Sequence, residues 1–88
     1  MFSGEARVKK LRWKARRGMK ELDVLLEAFF AQQTDALLAG EWPQLEIFLS
    51  QEDAVLFDWI SGRDLPVDKD LLFLIETITH ATYQTTKI

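Results

Sequence analysis

The sequence predicts an all-α fold, a compact single-domain bundle of about five helices. Apolar residues recur at intervals of three and four along most of the chain, whereas the alternation typical of strands is weak. The chain has 88 residues, of which 48% are hydrophobic, and no cysteine, so one modest core must hold it together without disulfides. We expect one domain over residues 1–88, with an ordered core at about 4–81 and a frayed, threonine-rich tail at 82–88.

The first two helices flank a glycine. Ser3 is a suitable N-cap for a first helix that runs to about Arg17, where Gly18 ends it. A second helix follows over about residues 19–33. The first helix has an apolar stripe of Ala6, Val8, Leu11 and Ala15, and the second has an apolar face of Met19, Leu22, Leu25, Leu26, Phe29 and Phe30.

Three further helices are predicted. Gly40 ends any continuation of the second helix, and Pro43 fits the first turn of a third. Ser50 caps the fourth, which Gly62 ends, and Asp68 caps the fifth. The side chains expected to turn inward are some of Leu45, Ile47, Phe48 and Leu49, then Val55, Leu56, Trp59 and Ile60, and finally Leu71, Leu74, Ile75 and Ile78.

Charge divides the chain sharply. Residues 1–20 hold eight Lys or Arg against one acid, whereas residues 21–88 hold three against thirteen, and the net charge is −3. Such a split indicates an arm for an acidic partner or nucleic acid, or else a solvated helix face that is basic. Trp13 offers a ring for stacking on bases, but the acidic remainder would repel a polyanion. The same segment has the composition of a transit peptide, yet it runs directly into the turn that the second helix needs.

Residue types that support catalysis are sparse. The only histidine is His80, and the four glycines stand too far apart to form a phosphate-binding loop. Glu52 and Asp53 fit the first turn of a helix better than an acid–base pair. No apolar run approaches the roughly 18 residues that a membrane span needs. We therefore expect no enzyme activity, no metal site and no insertion into a membrane.

The segment over residues 13–23, the corner segment, is the most informative part of the chain. Its two arginines fall at the negative end of one helix and its two acids in the first turn of the next, where each sign of charge is favoured. This predicts a tight corner with a guanidinium and a carboxylate facing outward, a geometry suited to docking another protein. The alternative is a helix stop, a turn and a cap whose charges are all satisfied locally. The order of Arg17 and Glu21 around Gly18 suggests that their positions matter more than their pairing.

The corner segment closely resembles the signature of the succinate dehydrogenase assembly factor 2 family, the flavinylation factors of bacteria and mitochondria. The family hallmark Arg-Gly-x-x-Glu is matched by Arg17, Gly18 and Glu21, and the resemblance extends over most of the chain, roughly residues 7–78. Trp42-Pro43 replaces the more polar start of the third helix that the resemblance leads us to expect, and the tail is short. These departures leave the corner intact and the partner-specific surface unassigned.

The resemblance implies a function. Members of this family promote covalent attachment of FAD to a histidine of the flavoprotein subunit of succinate dehydrogenase, and of fumarate reductase in some bacteria. It implies that FAD belongs to the partner, that this chain holds no cofactor of its own, and that it works by stabilising the attachment-competent conformation of that subunit. We expect a monomer of the bacterial cytoplasm. The partner-binding residues that it implies are Arg17, Gly18 and Glu21, with Arg16, Trp13 and Asp23 as further candidates.

Two other classes stay open beside it. One is an antitoxin-like protein-interaction module, a label that some relatives have carried. The other is a small nucleic-acid-binding protein that uses the basic N-terminal helix. Tight, strongly salt-dependent binding in a gel shift would favour the second class.

Overall fold

The computed structural model describes residues 3–85, with side-chain surroundings for residues 4–81. Over this range the chain forms six helices and no strand, which confirms the all-α prediction. Two of the six are single short turns of five residues, so four longer helices dominate. The helices are α1 (Ser3–Lys14), α2 (Lys20–Gln32), α3 (Thr34–Leu38), α4 (Leu45–Leu49), α5 (Asp53–Ser61) and α6 (Lys69–Thr85).

Helices α2 and α6 form the central pair of the bundle. Helix α1 lies against α3 and α4, and α5 lies against α6, so every helix contributes to one core. Burial of these apolar side chains is the main force that holds the bundle together. The core consists of Val8, Leu11, Ala15, Leu22, Leu26, Phe29, Phe30, Leu37, Leu45, Phe48, Leu49, Leu56, Trp59, Leu71, Leu74, Ile75, Ile78 and Ala81.

The continuation of the second helix is a separate helix, which raises the number from about five to six. The backbone bends at Gln33, and the Thr34 hydroxyl donates to the Phe30 carbonyl 2.6 Å away. The bend turns α3 toward α1, where a Cβ on Gly4 would lie only 2.5 Å from the Leu38 carbonyl oxygen. This close approach buries Leu37 completely. Gly40 follows α3 with φ 91°, as expected for a stop.

Of four further helix-end signals that were predicted, those at Pro43 and Ser50 are wrong and those at Asp68 and Gly62 are confirmed. Pro43 precedes α4 and is not in its first turn, because the helix begins at Leu45. Ser50 does not cap α5; its hydroxyl donates to the Ile47 carbonyl 2.6 Å away, at the end of α4. Asp68 caps α6, since its Oδ1 accepts from two backbone N–H groups of the first turn. Gly62 ends α5 in the left-handed conformation, φ 80°.

Four smaller points concern the N-terminal cap, two exposed apolar residues, the C-terminal tail and membrane spans. Helix α1 begins at Ser3, whose predicted capping side chain lies outside the described residues. Ala6, placed on the apolar stripe, is exposed, and so is more than half of Ile47. Helix α6 runs to Thr85 and so includes residues 82–85 of the predicted tail; residues 86–88 lie outside the described residues, and fraying stays a prediction. Within residues 3–85, no helix combines the length and the apolar character of a membrane span.

Candidate functional site

The corner between α1 and α2 is built around a left-handed glycine. Helix α1 ends at Lys14, three residues earlier than predicted, and Gly18 has φ 78°. L-residues with a Cβ avoid this conformation, so a glycine is favoured by the backbone itself. A Cβ added at Gly18 would meet nothing within 4 Å. The position is therefore open to solvent, and a methyl group there would project from the surface of the corner.

Asp23 closes the corner from the first turn of α2. Its Oδ1 accepts from the Arg17 backbone N–H at 3.1 Å, and its Oδ2 accepts from the Gly18 backbone N–H at 3.2 Å. Asp23 thus supplies acceptors for two backbone N–H groups that lie beyond the end of α1 and outside its hydrogen-bond pattern. Asp23 was predicted as a partner-binding residue, and the structure gives it a structural role as well.

The guanidinium of Arg17 points into the fold. Its Nη1 donates to the Gln51 carbonyl at 3.0 Å and to Asp53 Oδ1 at 3.2 Å, and its Nη2 donates to the Leu49 carbonyl. The side chain is only 14% exposed, and its Nε is buried with no hydrogen-bond partner among the described residues. The predicted outward-facing guanidinium is thus wrong for Arg17. The reason is that the unpaired carbonyls at the end of α4 attract the cation.

The outer surface of the corner carries the remaining motif residues. Arg16, Gly18 and Glu21 are exposed, and Trp13 is 74% exposed, which is unusual for so large an apolar ring. Arg17 pairs with Asp53, and no ion pair with Glu21 is present among the described residues; that the positions of Arg17 and Glu21 matter more than their pairing stays a prediction. We call Trp13, Arg16, Gly18 and Glu21 the corner surface.

A groove runs beside the corner surface between α1 and α2, with a volume of about 690 Å³. Each wall is a stripe with the helical spacing i, i+3, i+4, i+7. The first wall holds Lys9, Arg12, Trp13 and Arg16, and the second holds Asp23, Leu26, Glu27 and Phe30. The Arg12 guanidinium lies 5.2 Å from the centre of the Phe30 ring, so a cation–π contact joins the two walls.

The sequence did not predict this groove. Nor did it predict the clamp, our name for the contacts of the Arg17 guanidinium with Leu49, Gln51 and Asp53. The two stripes are visible in the sequence, but nothing local shows that they face each other. The contact of Arg17 with Asp53 joins residues 36 positions apart and leaves no local signal. Asp53 was interpreted as a first-turn acid of its helix, and it does lie in the first turn of α5.

The basic N-terminal segment also turns a second cation inward. Arg7 donates to the Leu37, Glu41 and Trp42 carbonyls at 2.7, 2.8 and 3.1 Å. Two of the eight cations in residues 1–20 therefore hold helix ends, while the lysines and the other two arginines are exposed. His80 is exposed on α6, and among the described residues no cluster of His, Asp and Glu has the arrangement of a metal site.

Comparison with known proteins gives a consistent result. The family model described as "Flavinator of succinate dehydrogenase" matches residues 9–82. The FAD assembly factor SdhE of Coxiella burnetii is 40% identical over 70 residues, which cover 80% of this chain and 85% of the relative. The proteins of the same name from Pseudomonas aeruginosa and Vibrio cholerae are 38% and 31% identical over 77 and 78 residues, covering 88% and 89% of this chain and 92% and 90% of each relative.

No solved structure matches the chain. The family match spans the corner, the groove and the central helix pair. The chain belongs to the succinate dehydrogenase flavinator family, as the resemblance of its corner segment indicated.

Proposed function

We propose that this protein is an assembly factor that promotes covalent attachment of FAD to the flavoprotein subunit of succinate dehydrogenase. The observation that carries the proposal is the family match over residues 9–82, supported by relatives named FAD assembly factor. The corner surface is the part of the fold best suited to the docking that such a role requires. It combines an exposed aromatic ring, an exposed cation and an exposed carboxylate at one corner of the fold.

Each residue of the corner surface has a separate task in this proposal. Trp13 supplies apolar contact area, Arg16 offers a planar fork for a carboxylate or carbonyl, and Glu21 accepts hydrogen bonds from the partner. Gly18 lets the partner approach the backbone, because no side chain projects from that position. Arg17 and Asp23 act from behind the surface, as the hydrogen bonds to Asp53 and to the backbone N–H groups suggest.

The help that we propose is positional. The flavoprotein supplies the histidine and holds the FAD, and this chain fixes the flavoprotein in the conformation in which the histidine faces the flavin. Restricting reactants to a near-attack geometry accelerates a reaction by many orders of magnitude without any reacting group from the helper. We assign no bond-forming step to this chain, and therefore no enzyme activity of its own.

We propose that FAD binds to the partner and not in the groove of this chain. The groove sets Asp23 and Glu27 opposite Lys9, Arg12 and Arg16, so its charge is mixed. A pyrophosphate group would meet two carboxylates there, which oppose its binding. The groove is better suited to a peptide segment of the flavoprotein that carries both apolar and charged side chains.

The proposed assembly role also leads us to expect a second flavoprotein partner, an oligomeric state and a location in the cell. Fumarate reductase is a second flavoprotein that we expect some bacteria to process through the same corner surface. We expect the chain to act as a monomer in the bacterial cytoplasm, where its flavoprotein partner folds. The nucleic-acid alternative loses support because Arg7 and Arg17 hold helix ends and leave fewer cations for a polyanion. No comparison supports either that alternative or the antitoxin-like one.

The test is covalent flavin formation in the partner. The flavoprotein subunit is produced in cells that lack their own factor, with or without this chain, and in-gel fluorescence measures covalently bound flavin. We expect a strong flavin signal only when the chain is present, and equal signals would overturn the proposal. Arg16→Ala should reduce the signal several-fold, whereas the matched control Arg63→Ala, an exposed arginine just after α5, should leave it unchanged.

A further inference from the structure

We infer that Asp53 is a positioning residue for the corner surface, although it lies on a different helix and acts only through Arg17. The inference rests on the proposed function and extends it to a residue outside the corner segment. Asp53 belongs to the first turn of α5, and its carboxylate is the only acidic group within salt-bridge distance of the Arg17 guanidinium among the described residues.

Arg17 joins three parts of the fold. Its backbone N–H is held by Asp23 of α2, and its guanidinium reaches the Leu49 and Gln51 carbonyls, at the end of α4 and just beyond it. Its contact with Asp53 adds the start of α5. The residue is thus fixed at both its backbone and its side chain, and the corner is tied to the α4–α5 turn. These polar contacts add to the packing of Ala15 and Met19 against the core, on either side of the exposed Arg16 and Gly18.

Asp53 is the member of this clamp that supplies charge. The two carbonyls attract and orient the guanidinium, and Asp53 adds a full negative charge that further offsets the unfavourable burial of the cation. The Arg17 side chain is 14% exposed, whereas that of Asp53 is 41% exposed. Asp53 therefore stays hydrated while it stabilises the buried partner. Replacing it by asparagine keeps the size of the side chain and removes the charge that holds Arg17 inward.

The consequence for docking is loss of preorganisation. Without the pull of Asp53, the Arg17 side chain can leave its carbonyls for water, and the corner loses its attachment to the α4–α5 turn. A partner that docks on the corner surface must then order it during binding, which weakens affinity but leaves the bound geometry intact. The effect should appear in Kd and not in the rate at saturation.

The experiment compares Asp53→Asn with Asp58→Asn. Asp58 lies on the same helix and pairs with Arg63 at 3.8 Å, far from the motif in sequence; its carboxylate is about as exposed as that of Asp53, but its arginine partner is 73% exposed. We expect D53N to raise Kd for the purified flavoprotein subunit about tenfold with an unchanged saturating flavinylation rate, because preorganisation is lost and the chemistry is not. D58N should match the native protein, and Asp53→Glu should recover part of the affinity.

A second readout needs no partner. Amide hydrogen exchange at Arg17 and Gly18, which both donate to Asp23, should accelerate in D53N and not in D58N. Arg17→Gln removes the same ion pair from the other side, so the test holds if only one of the two variants folds. In the double variant D53N/R17Q the effects on Kd should be less than additive, because both substitutions break the Arg17–Asp53 ion pair, although Arg17→Gln also removes the guanidinium contacts with two carbonyls.

The outcomes separate the two proposals. If the native chain fails to promote flavinylation, the proposed function is wrong, while the exchange data still decide whether Asp53 orders the corner. If flavinylation is promoted but D53N binds the flavoprotein as tightly as the native protein, the positioning role is wrong. Equal losses in D53N and D58N, or additive losses in the double variant, would overturn it too.

Discussion

Arg17 and Asp53 are joined by an ion pair of 3.2 Å across 36 residues of sequence, and the arginine of the family motif therefore points into the fold. This contact divides the motif into two functions. Arg17 holds the corner from inside, together with Asp23, while Gly18 and Glu21 face outward with Arg16 and Trp13. We expect a substitution at Arg17 to alter both stability and docking, so it would not report on docking alone. Substitutions at the four outward-facing residues of the corner surface can report on docking.

Gly18→Ala should abolish most flavinylation with a modest loss of stability. Gly18 and Gly62 have nearly the same left-handed φ, 78° and 80°, and at both an added Cβ meets nothing within 4 Å. Each substitution to alanine should therefore lower the free energy of unfolding by a similar amount, about 1–2 kcal/mol. Only the methyl group at Gly18 would stand in the docking surface. Urea unfolding and the in-gel flavin assay measure the two effects separately.

Gly62→Ala is the control for backbone strain in that comparison. It should be destabilised like Gly18→Ala and yet support native levels of flavinylation. If the two alanine variants lost flavinylation to the same extent, the loss would follow from stability, and Gly18 would have no part in docking.

Glu21→Gln should reduce binding to the flavoprotein subunit without unfolding the chain. Glu21 is an exposed acid in the first turn of α2, so removing its charge should change stability by less than about 1 kcal/mol. Glu5 likewise lies in the first turn of its helix, α1, at the opposite end of that helix from the corner. Surface plasmon resonance should show weaker binding for Glu21→Gln and native binding for Glu5→Gln. Native affinity in both variants would remove Glu21 from the docking surface.

Asp23→Asn should loosen the corner while leaving the rest of the bundle folded. The Arg17 and Gly18 backbone N–H groups donate to different oxygens of Asp23, so in asparagine the NH2 group would face one of these two donors in place of an acceptor. The free energy of unfolding should fall by about 1 kcal/mol, since one hydrogen bond to a charged group is lost. Hydrogen exchange should accelerate at Arg17 or Gly18. Unchanged exchange at both amides would contradict the role of Asp23 in closing the corner.

Docking should weaken as salt concentration rises. Raising the ionic strength from about 0.01 M to about 1 M shortens the Debye length from about 30 Å to about 3 Å, which screens the exposed cations of the groove. We expect Kd for the flavoprotein subunit to rise across this range. In Arg16→Ala, Kd should be higher at low salt and should depend less on salt than in Arg63→Ala. Identical salt dependence in the two variants would show that Arg16 lies outside the interface.

The fold was largely predictable because most of its signals are local. Helical spacing of apolar residues located α2 and α6, and Gly62 and Asp68 mark helix ends that the structure confirms, whereas α1 ends three residues earlier than predicted. Ser50 misled because its hydroxyl serves the helix before it and not the one after it. The break at Gln33 has no glycine or proline that would signal it in the sequence. The packing of α3 against α1 sets its position.

The sequence predicted where the site lies but not the direction in which the Arg17 side chain points. The change of charge around Gly18 located the corner, and its outward-facing Glu21 agrees with the prediction. The inward turn of Arg17 depends on the carbonyls of Leu49 and Gln51, which tertiary packing brings near. The groove likewise forms only when two helical stripes face each other. Contacts between distant residues are the part that a single sequence does not specify.

The most direct test of a positional role uses purified components. The apo flavoprotein subunit and FAD are mixed with the native chain or with Glu21→Gln combined with Arg16→Ala, and mass spectrometry follows covalent flavin on each polypeptide. We predict that the native chain accelerates attachment to the flavoprotein, that its own mass stays unchanged, and that the double variant is slow. Flavin bonded to this chain, or equal rates with the native chain and the double variant, would contradict a role in docking and positioning.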